Sequence, residues 1–147
     1  MKNTLRLALA VLFCIVLCLG IGADAWAEGV TIDETNFPDQ NFRNYVSAYC
    51  DQDGDGTLSE SEIAARTGLY LDKREIYSLK GIEYFTSLQS LDCSLNKLTT
   101  LDLSSNTALT TLNCGGNYLT SLDVSGNTAL TSLNCGNNQL TSLDVSH

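Results

Sequence analysis

The chain predicts an α+β protein: a short N-terminal helical unit, then a solenoid of stacked turns with a parallel β-sheet. Three observations predict this. Leucine, cysteine and asparagine recur with a 21-residue period through the C-terminal half. The acidic run DQDGDGTLSESE at 51–62 is preceded by apolar residues at helical spacing. Positions 1–27 form an apolar leader that does not resemble the rest.

The leader has three parts. Lys2 and Arg6 make a positive start, Leu7–Ile21 carries no charge, and Ala25-Trp26-Ala27 places small residues at −3 and −1 of a cleavage point. That is the layout of a secretory signal. Its uncharged run would rise about 22 Å as a helix, short of the ~30 Å hydrocarbon core, so an export signal is expected rather than an anchor. Phe13 and Leu17 precede Cys14 and Cys18, which disfavours lipidation. Cleavage after Ala27 leaves 147 − 27 = 120 residues from Glu28, with net charge 6 − 16 = −10. So acidic a chain, with no Lys/Arg cluster, is not a nucleic-acid binder.

After the leader, Phe42, Tyr45, Val46 and Tyr49 follow i, i+3, i+4, i+7 and predict a helix over about 38–49, with Pro38 in its first turn. Next, Asp51, Asp53 and Asp55 take loop positions 1, 3 and 5, Gly56 position 6, and Thr57 offers a backbone carbonyl at 7. Leu58 is the apolar residue at 8, and Glu62 closes the loop at 12. Alternating acids on a tight loop turn oxygen donors inward, which suits a hard cation such as Ca2+. Gly56 permits the sharp bend, and Glu62 can bind through both oxygens. Ser59 and Glu62 also form an S-x-x-E capping box for a second helix, roughly 60–66. The 51–62 loop resembles an EF-hand with every motif position filled. Such loops usually pair through a small sheet, and this chain has one. The helices are therefore expected to pack on the C-terminal half.

That half is the repeat. Leu88, Leu91, Cys93, Asn96, Leu98, Leu101, Leu103 and Asn106 recur, one 21-residue step on, as Leu109, Leu112, Cys114, Asn117, Leu119, Leu122, Val124 and Asn127. A third copy brings Leu130, Leu133, Cys135, Asn138, Leu140, Leu143 and Val145. Strands are expected near Ser90–Ser94, Thr111–Gly115 and Ser132–Gly136. Leu69, Leu71, Ile76 and Leu79 precede Leu91, Cys93, Leu98 and Leu101 by a 22-residue step, a degenerate first turn in which Arg74 replaces the asparagine. The pattern resembles a leucine-rich repeat with cysteine in the third leucine slot. The phrase SLKGIEYFTSL (78–88) is similar to the opening turn of internalin-type repeats. The whole resembles a bacterial secreted EF-hand plus leucine-rich-repeat protein, internalin-like, with a cysteine ladder. The expected organisation is a signal at 1–27, an EF-hand-like helical cap at 28–67 and repeats at 68–147.

Cys93, Cys114 and Cys135 do not match zinc spacing, and the sole histidine, His147, is terminal. Stacked neighbours would lie near disulfide range but project in parallel into a core, so buried reduced thiols are expected. Asn96, Asn117 and Asn138, and separately Asn106 and Asn127, are expected to satisfy backbone groups at bends. For Asp102, Asp123 and Asp144, local turn capping is favoured over a calcium ladder. Partner contact is expected at the outward strand positions: Tyr70, Asp72, Ser90, Asp92, Ser94, Thr111, Asn113, Gly115, Ser132, Asn134 and Gly136. Tyr70, with Tyr118 just beyond, is the aromatic there.

No Ser/His/Asp set, Cys/His pair or phosphate loop is legible, so the chain is not expected to be an enzyme. The resemblance implies a secreted or bacterial-surface, calcium-binding module for protein–protein recognition or adhesion. Its partner is a protein or cell-surface ligand, with no nucleic acid and no membrane insertion after signal cleavage. The alternative is the front part of a larger surface protein whose effector or anchoring domain lies elsewhere. The repeat is interrupted at Ser146-His147 without a polar closing turn. A dockerin-type scaffold role would call for two calcium segments, and one is present.

Overall fold

The computed structural model describes residues 29–143. The leader 1–27, Asp144, Val145 and His147 lie outside the described residues.

The fold is a leucine-rich-repeat solenoid with a parallel sheet and few helices. The chain enters along β1 (Val30–Thr31), then forms α1 (Gln40–Tyr49), β2 (Thr57–Leu58) and α2 (Glu60–Ala65). The sheet comes next: β3 (Gly68–Tyr70), β4 (Ser90–Asp92), β5 (Thr111–Asn113) and β6 (Ser132–Asn134), with one 3₁₀ turn at Ile82–Tyr84.

Helix α1 starts two residues later than expected. Asp39, not Pro38, ends the preceding extended chain, and its Oδ1 accepts from Asn41 N (2.9 Å) and Phe42 N (3.0 Å). An N-cap carboxylate satisfies otherwise orphaned N–H groups, so it sets the start. Pro38 stands before the cap. The apolar stripe is also narrower than predicted: Phe42 and Val46 are buried, whereas Tyr49 is 56% exposed and stacks on Tyr45 at 4.8 Å. The capping box of α2 forms as expected, Glu62 N donating to Ser59 Oγ and Ser59 N to Glu62 Oε2.

The loop's sheet partner is β1. It pairs antiparallel with β2, Val30 opposite Leu58 and Thr31 opposite Thr57, and Ile32 N donates to Gly56 O at 2.9 Å. The sequence gives no sign of it because a two-residue strand has no periodicity.

The solenoid register matches the repeat. Leu69, Leu91, Leu112 and Leu133 stand side by side through β3–β6, all parallel. One apolar cluster runs from Phe37 through Phe42, Val46 and Leu69 to Val124, so the helices and the turns share a core. Asp39 ties the two together. Its Oδ2 accepts from Tyr77 N (2.8 Å) and Ser78 N (3.2 Å) in the first turn. Asn41 Nδ2 donates to Glu75 O (3.2 Å), and Tyr84 Oη to Asn36 Oδ1 (2.9 Å).

Each turn leaves its strand through a left-handed residue at one equivalent position: Lys73, Leu95, Gly116 and Asn137, with φ of 54°, 55°, 69° and 56°. The N–H of each of the first three donates to a carbonyl on the next turn (Ser94, Gly115 and Gly136), which is why the conformation repeats. Glycine and asparagine take it readily. For leucine it costs about 1–2 kcal/mol.

Behind this position runs the asparagine ladder. Asn117 Oδ1 accepts from Leu98 N (3.1 Å), and its Nδ2 donates to Cys93 O and Cys114 O (both 3.0 Å). Asn96 and Asn138 repeat the pattern. The first turn lacks its own asparagine at Arg74, and Asn96 makes one bond there beyond the repeated pattern, from Arg74 N. Asn96 Oδ1 accepts from Arg74 N and Ile76 N, and Asn96 Nδ2 donates to Leu71 O. Asn117→Ala would leave the buried Leu98 N–H without a partner and remove two further bonds. We expect a loss of about 3 kcal/mol by urea unfolding. Asn117→Asp keeps the acceptor but sets a carboxylate against two carbonyls, so it should cost at least as much.

Candidate functional site

The acidic loop leaves the end of α1 and closes on the start of α2. Gly54 and Gly56 both adopt positive φ, 71° and 85°. The turn they make lets the Asp51 carboxylate accept from Gly54 N (2.8 Å) and Gly56 N (3.0 Å) across its two oxygens. Asp53 accepts from Asp55 N (3.2 Å), and Asp55 from Thr57 N (2.7 Å). One oxygen each of Asp51, Asp53 and Asp55 falls within 4.8 Å of the others.

Glu62 stands apart from that triad. Its Oε1 accepts from Gln52 N (2.6 Å), and its Oε2 from Ser59 N and Ser59 Oγ (both 2.8 Å). The Ser59 and Gln52 amides hold its carboxyl below the usual range, against a modest effect of burial, so it is ionised at neutral pH. Of the five residues proposed from sequence, three are brought together. Thr57 is in β2, one residue beyond the turn, and Glu62 sits at the loop's exit. The donor set fits calcium: all oxygens, four of them carboxylates, three of which converge.

The cysteine ladder is buried and reduced. Cys50, Cys93 and Cys114 are 0% exposed, Cys135 is half-buried at the last described turn, and all four are free thiols. The aspartate column caps its own turns, Ser104 N donating to Asp102 (3.0 Å) and Ser125 N to Asp123 (2.9 Å).

The outward face of the sheet differs from expectation in two ways. Ser94 and Gly115 are buried rather than exposed, and the Ser94 N–H and hydroxyl both donate to Asp92 Oδ1 (2.9 and 2.6 Å). Asp92, Asn113 and Asn134 are linked across strands. Asn113 Nδ2 donates to Asp92 Oδ2 (3.1 Å), and Asn134 Nδ2 to Asn113 Oδ1 (3.0 Å). Much of this polar face is therefore committed to its neighbours. The 21-residue spacing of these three side chains was the available signal.

Among the described residues, no helix is long and apolar enough to cross a membrane. The family model for leucine-rich repeats (two copies) matches residues 107–147. Over 71 residues the chain is 47% identical to Internalin J of Listeria monocytogenes serotype 4b (strain F2365) and 48% identical to Internalin J of serovar 1/2a (strain ATCC BAA-679 / EGD-e). In each case this covers 48% of the chain and spans 8% of the length of that relative. Among solved structures, the functional domain of InlJ from Listeria monocytogenes, which includes a cysteine ladder, matches at 43% identity and TM-score 0.74, over 82% of this chain and 27% of that one. Internalin InlF of Listeria monocytogenes strain 4b F2365 matches at 24% identity and TM-score 0.72, over 78% of this chain and 34% of that one, a likeness of fold. The column of buried thiols agrees with the cysteine ladder of the InlJ domain: the chain is internalin-like, a leucine-rich-repeat solenoid with a cysteine ladder, and it spans only a small part of the length of these relatives.

Proposed function

We propose that the protein is a secreted or bacterial-surface module for protein–protein recognition or adhesion, in which a calcium ion stiffens the helical N-terminal unit. The observation that carries recognition is the in-register sheet, which presents equivalent outward positions on four successive strands. The 43% identity to the functional domain of InlJ supports the same reading. Export is supported by the three-part leader at 1–27.

The calcium reading is supported by the converging triad of Asp51, Asp53 and Asp55. These carboxylates, the Thr57 carbonyl and Glu62 would hold the ion. Bound calcium supplies the charge that offsets carboxylate repulsion. Because β2 continues directly from the loop and pairs with β1, ordering the loop also steadies the chain's entry strand.

The test is a melting series in EDTA, calcium and magnesium. A lone extracellular site is expected to bind at around 10⁻⁴–10⁻³ M. At about 100 times Kd, linkage adds about 2.7 kcal/mol. Magnesium should add less, because it dehydrates reluctantly and needs stricter geometry. Glu62→Gln should abolish the calcium shift. A melting temperature unchanged between EDTA and several millimolar calcium would refute the metal's structural role.

A further inference from the structure

The most unusual exposed residue is Leu95. It is 54% exposed and held at φ 55°, although the equivalent positions on the other turns use residues suited to that conformation or to water: Lys73, Gly116 and Asn137. Neither its backbone nor burial selects a leucine there. A strained, exposed apolar side chain points to function.

Its surroundings share a character. A groove of about 350 Å³ is bounded by Lys73, Glu75, Leu95, Lys97 and Tyr118. Tyr118 is 51% exposed and Tyr77 60%. Lys97 Nζ lies 5.1 Å from the Tyr77 ring centre and 3.0 Å from its hydroxyl. Further along, Arg74 lies 4.7 Å over the Tyr45 ring. Charge is distributed unevenly too. Residues 29–143 hold six Lys and Arg (Arg43, Arg66, Lys73, Arg74, Lys80 and Lys97), and three of them stand on this edge. The acids beside them are Asp72 and Glu75, with Glu75 Oε1 3.5 Å from Lys97 Nζ, so the edge carries a net positive charge of one on a molecule of net charge −9.

We propose that this edge, at the exit of the strands rather than on their outward face, docks an acidic polypeptide segment carrying an apolar anchor. Leu95 and Tyr118 receive the apolar side chain, and Lys73 and Lys97 meet the carboxylates beside it. Tyrosine and cationic side chains around an apolar centre are the composition of protein-binding hot spots. A cationic edge on an acidic body also selects the orientation of an acidic partner. The proposal rests on the reading of the chain as a protein-recognition module and names where and what it recognises.

The experiment is selection of a random-peptide phage library on the purified protein, then binding of the enriched synthetic peptides to variants. Enriched peptides should combine Asp or Glu with Leu, Phe, Tyr or Trp. Their affinity should fall about tenfold or more in Leu95→Asn and Tyr118→Ser, and should weaken with salt. Leu95→Asn also separates function from packing. Asparagine suits the left-handed backbone, so this variant should melt no lower than wild type while losing the peptides. A lower melting temperature in Leu95→Asn would overturn the proposal. So would peptides lacking acidic residues, or acidic peptides bound equally by Leu95→Asn. Peptides lost instead in Asn113→Ala and Asn134→Ala would leave the recognition reading standing and sink this edge. A dimer in sedimentation that Leu95→Asn dissolves would assign the edge to a second copy and overturn it. Absence of any enriched peptide would count against both.

Discussion

Raising the pH from 8 to 10 is expected to lower the unfolding free energy by about 4 kcal/mol, chiefly through three thiols. Burial pushes the Cys50 thiol from an ordinary 9.0 up to about 11, with Arg66 working against the shift and Glu62 adding to it. Burial likewise pushes Cys114 up to about 12, with Cys135 adding to the shift. Cys93 is raised by burial first, then by the neighbouring Cys114 and Asp92. In the unfolded chain these thiols ionise near their ordinary value, whereas in the fold they stay protonated. Above that value the unfolded state binds fewer protons, so stability falls as pH rises. The contribution is whole below about pH 9. Beyond that it declines by about 1.4 kcal/mol per thiol per pH unit, until the folded thiols ionise. Urea midpoints measured across this range test it. Cys114→Ser should reduce the slope by about a third, and at neutral pH should cost roughly 1–3 kcal/mol by burying a hydroxyl. An alkaline slope identical in wild type and Cys114→Ser would defeat the prediction, as would fewer than four free thiols in cleaved, denatured, unreduced protein.

Gly81→Ala should destabilise the protein by about 3 kcal/mol or more. Gly81 precedes the 3₁₀ turn at φ 105°, a region that disfavours any side chain. A Cβ there would also run into the Phe37 ring and come within 2.8 Å of the Asn36 carbonyl. Phe37 is fully buried and packs against Phe42 at 5.8 Å and Tyr84 at 5.7 Å, so it has nowhere to move. Gly81 is thus where the first turn passes under the segment leading to α1. The substitution should lower the melting temperature of the helices and the repeats together, since they share one core. Gly126→Ala is the control. It has open space and no positive φ, and should change stability by no more than about 0.5 kcal/mol. A Gly81→Ala protein as stable as Gly126→Ala would show that Phe37 can yield.

The repeat was legible from sequence because each solenoid turn contacts only its neighbours. A 21-residue spacing therefore translates directly into the register of Leu91 on Leu112 on Leu133. The capping box was legible because a local hydrogen bond needs only local spacing, and Ser59 and Glu62 meet it. The three loop aspartates converge for the same reason.

Tertiary structure decided what depends on residues far apart in the chain. The strand that pairs with the loop, β1, is separated from β2 by the whole of α1 and is too short to show a pattern. Asp39 caps α1 with one oxygen while its second holds Tyr77 and Ser78 of the first turn, and no local spacing encodes that bond. Strand alternation predicts free outward positions, but cross-strand bonding among Asp92, Asn113 and Asn134 occupies much of that face. Leu95 shows the limit most clearly. The repeat marks it as one variable position among many, and periodicity carries no record of φ. Only the folded turn, with its N–H bound to Gly115 O, imposes a left-handed backbone on an exposed leucine. Period and local hydrogen bonding thus set the architecture, while long-range contacts decided which surfaces are committed and which are open to a partner.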